Sequence, residues 1–395
     1  MNRSDKRGRK VAGSYKPLLF FLLVAVLSAA VIWKTPTSLV GAIAGTLDLR
    51  YEAPGPRLVY SEMLGDASVI WQAPASDLRK KRQLASVPHI QGYGIKASLS
   101  PSDRYLAYKA LGHDSGGSTS RSSLWLLDIE DTRSIGTETQ RTSFVLDGLE
   151  LIGVPLWSPD SDKVAVIRKS VDDDGPNAAE IVAVDIHSGT ANVIATSQPQ
   201  EWLSPIAWSA DGGRLYYVSI GGQGTYLNYS STHAGGLSQV LGRLDDFSRD
   251  FRLSPDREML AYTSLENATE PAIKTLNLSD GAVKSYPGMV SPLWDAPDGA
   301  LTVAALSNGL GVSKIRPSDL SIDATTPPTE LHSAPINAFH LPLAWSRDAG
   351  FLAVRSLSGA SLNDVTDERL EVVDTGGAFR PVESAGHLEF IGWLP

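Results

Sequence analysis

Three histidines, His89, His340 and His387, stand shortly before apolar stretches that end at Leu99, Trp345 and Trp393. Converging neutral imidazoles can ligate a transition metal. The seven histidines include no His-Glu-x-x-His motif and no closely spaced pair, so a metal site would depend on the fold bringing distant residues together. Ordinary polar residues at the rim of the fold are the alternative. Glu201 with Trp202, Arg249 with Asp250, and Glu389 hold comparable places before other apolar stretches. Together they would build a polar, partly aromatic funnel suited to a peptide end or a small ligand. The candidate ligand- or partner-binding set is therefore His89, Glu201, Trp202, Asp250, His340 and His387. No catalytic residue, metal or other cofactor is assigned.

Other motifs carry less. His113-Asp-Ser-Gly-Gly117 has the look of a protease nucleophile loop, but it lies in a Gly/Ser-rich stretch running to Ser123 and is read as a solvated loop. Asp172-Asp-Asp-Gly-Pro-Asn177 offers three carboxylates to a hard cation such as Ca²⁺. Consecutive residues diverge, however, unlike the alternating ligands of an EF-hand loop, and a charged hairpin tip is the favoured reading. No Gly-x-Ser-x-Gly elbow occurs. The absence of cysteine excludes disulfides, thiolate catalysis and Cys-ligated metals.

The elements that must position these residues are unusually legible. Six times an apolar run meets a Ser-Pro-Asp-type turn and re-emerges as a second apolar run: at Leu99, Trp157, Trp208, Leu253, Trp294 and Trp345. Each copy predicts a β-hairpin, with Pro presetting φ and Ser and Asp bonding the turn backbone. Third strands follow over Leu124–Ile129, Ile181–Ile186, Ala272–Leu278 and Arg369–Val373, while Thr225–Tyr229 and Gly309–Ile315 are polar or short. A repeat of roughly forty to sixty residues built this way predicts propeller blades. Two fragments remain. Leu388–Pro395 reads as a first strand with Trp393 in the marker position, and Arg57–Tyr60 with Ser68–Trp71 reads as second and third strands without a first. One blade shared by the two fragments pairs both bare edges. The expected fold is all-β: a seven-bladed β-propeller over 57–395, closed by its terminal strands.

The Trp-Ser-Pro-Asp-(Gly)-x-x-Leu-Ala-(Tyr/Val) pattern resembles the TolB-type, WD40-like propeller repeat, also seen in propellers attached to prolyl-oligopeptidase-like enzymes. The resemblance implies envelope assembly or maintenance through protein contacts. The sequence departs from it where Gly is missing after Asp, as in Pro255-Asp-Arg257, and at the shifted Trp294 copy.

Ahead of the ring, residues 17–33 form an apolar run without a charge, about 26 Å as a helix. Arg3, Lys6, Arg7, Arg9, Lys10 and Lys16 precede it. The asymmetry predicts a basic cytoplasmic tail over 1–16, a signal-anchor transmembrane helix over 17–33, a Pro/Gly-containing linker over 34–56 and an extracytoplasmic propeller. A cleaved secretory signal ending at Ala42-Ile-Ala44 is the competing reading. The net charge is −9. Without those six basic residues, Lys34 and Asp5, 28 of the 35 basic and 43 of the 44 acidic residues remain, a balance of −15. Such a surface is unsuited to nucleic acid. The expected function is a non-catalytic, membrane-tethered propeller binding a protein or peptide partner in the cell envelope. The rivals are an enzyme acting on extracellular polysaccharide or a small substrate at the channel mouth, and a ligand sensor.

Overall fold

A Ser-Pro-Asp turn closes on itself before any long-range contact is made. In four of the repeats the Ser hydroxyl lies 2.5–2.6 Å from the Asp Oδ1 two residues on (Ser158–Asp160, Ser209–Asp211, Ser254–Asp256, Ser346–Asp348). The same hydroxyl accepts the N–H of the residue that opens the second strand: Lys163, Arg214, Met259 and Phe351, each at 2.9 Å. One residue per turn takes positive φ. Gly212 does so at 68°, but Ser161 (65°), Arg257 (66°) and Ala349 (53°) adopt the same conformation with a side chain. The missing glycines thus leave the turn geometry intact, at a local cost of about 1 kcal/mol each.

The computed structural model describes residues 55–113, 120–130, 142–148, 151–169, 178–233, 237–266, 270–294, 299–305, 311–315, 329–332, 338–361 and 364–395. These residues form seven four-stranded antiparallel sheets. Six follow chain order, with first strands Lys96–Leu99, Leu151–Trp157, Trp202–Trp208, Arg249–Leu253, Met289–Trp294 and Ala338–Trp345 heading blades 1 to 6. Blade 7 is composite. The strand His387–Leu394 pairs antiparallel with Arg57–Leu64, which continues into Ala67–Pro74 and Arg82–Pro88. Leu58 stands opposite Trp393, and His387 opposite Met63. The third strands of blades 3 and 5, uncertain from sequence, span Gly224–Ser231 and Val312–Ile315. Among the described residues there is no helix, and none long and apolar enough to cross a membrane. The 17–33 segment, the loop beyond His113 and Asp172–Asn177 lie outside the described residues.

Apolar clusters sit between neighbouring sheets. Val59, Ile70 and Ile391 of blade 7 pack with Leu106, Tyr108 and Leu127 of blade 1. On its other face, Leu58, Tyr60 and Trp393 meet Ala353, Leu370 and Val372 of blade 6. The marker tryptophans add a directional bond. The indole N–H of Trp157, Trp208, Trp294 and Trp393 donates to the carbonyl of Ser98, Leu156, Arg252 and Ala344, each in the preceding blade and one residue before its marker, at 3.0–3.1 Å. Trp345 donates instead to Thr302 Oγ1 at 2.9 Å.

Closure is secured at both ends of the composite blade. Glu62 Oε1 accepts from Ser384 Oγ at 2.8 Å and Ala385 N at 3.0 Å, while Oε2 accepts from Trp71 Nε1 at 3.0 Å and lies 3.5 Å from Lys81 Nζ. At the turn end, Arg57 donates to the Pro395 carbonyl at 3.0 Å. Arg347 of blade 6 forks onto Asp103 of blade 1 (2.6 and 2.9 Å), across blade 7, whose first two strands are not joined by a turn.

Candidate functional site

First strands begin, and second strands end, on the face opposite the Ser-Pro-Asp turns. On that face a cavity of about 680 Å³ opens across the seam between blades 7 and 1 and reaches blade 2. Its walls come from strand ends: Met63, His387 and Glu389 of blade 7, Lys96, Lys109 and Leu111 of blade 1, and Ile152 of blade 2. The connection between Arg82–Pro88 and Lys96–Leu99 brings Gly92, Tyr93 and Gly94 over one side. Gly92 is required there by φ of 84°, and a side chain at Gly94 would press on Met63 Sδ, 3.3 Å from its Cβ position.

Glu389 organises the charge. Its Oε1 lies 2.6 Å from Lys96 Nζ and 3.4 Å from His387 Nε2, and its Oε2 accepts from Arg355 at 3.2 Å. Arg355 also pairs with Glu368 at 3.2 Å. Burial alone would raise the Glu389 pKa, but Lys96 and Arg355 outweigh it and hold the carboxyl below its ordinary value. Lys109 Nζ donates to the Leu151 carbonyl, bracing blade 1 on blade 2.

Of the six residues singled out from sequence, His387 lines this cavity. His89 adjoins it: buried, it receives the Ser68 hydroxyl at Nε2 (2.9 Å) and donates from Nδ1 to the Ile90 carbonyl (2.9 Å). Ser68 is itself a lining residue. His387 and His89 nevertheless stand at opposite edges of blade 7, three strand spacings or about 14 Å apart. His340 goes elsewhere. Its side chain is 1% exposed, with the ring 4.9 Å from Phe379 and Nε2 3.8 Å from Glu371, whose pKa burial raises. The three histidines thus do not converge, and no group of three metal-ligating side chains exists among the described residues. Trp202 is 47% exposed at the start of its strand, and Glu201 accepts the Gln198 N–H at 2.8 Å. Asp250 takes φ of 57° and lies 3.6 Å from Arg249. These three belong to the same rim but not to the cavity.

No family model matches the chain, and no curated protein matches it. Solved structures do. TolB from Acinetobacter baumannii aligns over 87% of this chain and 68% of its own, at 14% identity and a TM-score of 0.50. A prolyl endopeptidase aligns over 74% of this chain at 17% identity and a TM-score of 0.54. The chain spans 43% of that enzyme. An oligogalacturonate lyase in complex with manganese aligns over 83% of this chain and 84% of its own, at 14% identity and a TM-score of 0.53.

The chain is a β-propeller with TolB-like neighbours. At these identities the likeness is one of fold, and functions as different as a lyase and a peptidase sit on it. The propeller's own residues must carry the functional argument. Sequence reasoning passed over Lys96, Lys109 and Tyr93. Lys96 carried a usable signal, because it precedes the Leu99 marker on the rim where Glu389 precedes Trp393.

Proposed function

We propose that this propeller is a non-catalytic binding module, tethered outside the cytoplasmic membrane through residues 17–33, that holds a protein or peptide partner of the cell envelope at the seam cavity. The observation carrying this reading is the state of Glu389. Lys96 at 2.6 Å and Arg355 at 3.2 Å pair with it and favour its charged form. It sets a constant pattern of charge for recognition. The cavity volume suits a ligand of a few residues, and Tyr93, 58% exposed at its edge, offers a rigid amphipathic contact. The neighbouring TolB supports a protein-contact role by analogy of fold alone.

The test is photo-cross-linking in the source cell with a reactive amino acid at Tyr93, against a control at Val283, 53% exposed on the outer strand of blade 4. The expected result is one adduct with an envelope protein from position 93 and none from 283. Equal labelling at both positions, or none at 93, refutes the reading. Retention of the chain in membranes after alkaline extraction, and its loss when 17–33 is deleted, tests the tether separately.

A further inference from the structure

The lining of the seam cavity is mixed. Met63, Leu111 and Ile152 give it apolar surface, whereas Lys96 and Lys109 bring two ammonium groups against Glu389, the single carboxylate among the described lining residues. The chain as a whole carries −9, so this mouth is locally basic on an acidic particle, and a concave site of that kind concentrates anions. We propose that the cavity takes the free C-terminal carboxylate of an extended peptide ending in an apolar residue, with Lys96 as its charged contact.

The proposal rests on the partner-binding reading above and names the end group recognised. Lys96 suits the task because its side chain is 46% exposed and its present bond is replaceable. When its ammonium turns to an incoming carboxylate, Glu389 keeps Arg355 at 3.2 Å and is not left as an unpaired, half-buried charge. Arg355 is in turn steadied by Glu368, so the cation remaining with Glu389 is fixed in place. The apolar part of the lining suits a Leu- or Phe-like side chain. A peptide amino terminus would bring a third ammonium group to the two lysines.

Calorimetric titration of the full chain in detergent with N-acetyl-Phe-Leu as the free acid, the same dipeptide as its C-terminal amide, and digalacturonate tests the proposal. The acid is expected to bind at least about tenfold tighter than either other probe. Lys96→Gln should weaken the acid by about tenfold while leaving the amide unchanged, and Lys96→Arg should retain most of the affinity. Raising salt from about 50 to about 500 mM should weaken the acid alone. Equal binding of acid and amide, tighter binding of digalacturonate, absence of binding by the acid, or an unaltered Lys96→Gln overturns the assignment. The two readings fail differently. A partner cross-linked at Tyr93 together with equal acid and amide affinities removes the end-group proposal alone, whereas acid-selective binding without any cross-linked protein removes the partner reading alone.

Discussion

Replacing Glu62 by Gln tests whether ring closure depends on one carboxylate. The side chain is 6% exposed and accepts from Ser384, Ala385 and Trp71, with Lys81 3.5 Å away. Glutamine keeps one acceptor oxygen for Ser384 and Ala385. Its amide nitrogen then faces the Trp71 N–H and Lys81, donor against donor. One buried donor loses its acceptor, the ion pair is lost, and the remaining bonds cease to be charge-assisted, for a combined cost of about 3 kcal/mol at pH 7. Burial by itself would raise the Glu62 pKa, but the bonds from Ser384 and Ala385, the Lys81 charge and the Trp71 bond lower it below the ordinary value. The contribution of a carboxyl lowered in the folded state is complete above its unfolded pKa, about 4.3. It disappears as pH falls through the folded value. The gap between wild type and Glu62→Gln should therefore be widest at neutral pH and close in acid. Urea unfolding followed by tryptophan fluorescence, from pH 7 downward, measures it. A gap under about 1 kcal/mol at pH 7, or one that stays constant into acid, refutes the reasoning.

Ala349→Gly, at φ of 53° in the blade 6 turn, should stabilise the protein by about 0.5–1 kcal/mol, read as a higher urea midpoint. Gly386→Ala places a Cβ 2.1 Å from the Met63 carbonyl; a loss of about 2–3 kcal/mol and faster carboxypeptidase trimming are expected. Trp208→Phe, which breaks the bond to Leu156 at a site 2% exposed, should cost about 2–3 kcal/mol in thermal or urea unfolding. Trp294→Phe, whose equivalent bond to Arg252 is exposed, should cost under about 1. The turn carboxylates Asp211, Asp256 and Asp348 are lowered by their Ser hydroxyls. Stability should accordingly fall as pH drops through their folded values, and Ser254→Ala with Ser346→Ala should flatten that acid limb of the stability–pH curve.

The ring was legible because its signals are local and repeated. A Ser-Pro-Asp turn is specified by residues within five positions of one another, and the complementary fragments around Leu58 and Trp393 required only that no strand edge be left bare. Positions on the rim were much less legible, because bulges make residue count a poor ruler. The register slips between Pro205 and Ala207 in one first strand, between Ile152 and Leu156 in another, and between Pro342 and Ala344 in a third. His340 stands five residues before Trp345, and His387 six before Trp393. That single step puts them on opposite faces of their strands, one ring against Phe379 and the other at the cavity. These three strands, and a fourth that slips between Val290 and Leu293, announce their irregularity: Pro155, Pro205, Pro292 and Pro342 each lie two or three residues before a marker tryptophan. Proline is tolerated there because the inner strand has an unpaired edge. Glu62 was also readable. It occupies the place held by Ala110, Arg168, Ser219, Ser264, Ala305 and Ser356 in blades 1 to 6, the one acid at that position of the repeat.

The composite blade gives the molecule a joint held without any covalent bond, and the cavity lies across it. A molecule seated between His387 and Lys96 touches both sides of that joint and acts as a staple. The ring cannot unzip there until the staple is shed, and once it has unzipped the staple has nowhere to sit. Occupancy and mechanical integrity are consequently one equilibrium, and a pull on the final strand would report the ligand concentration as a change in the force needed to part it.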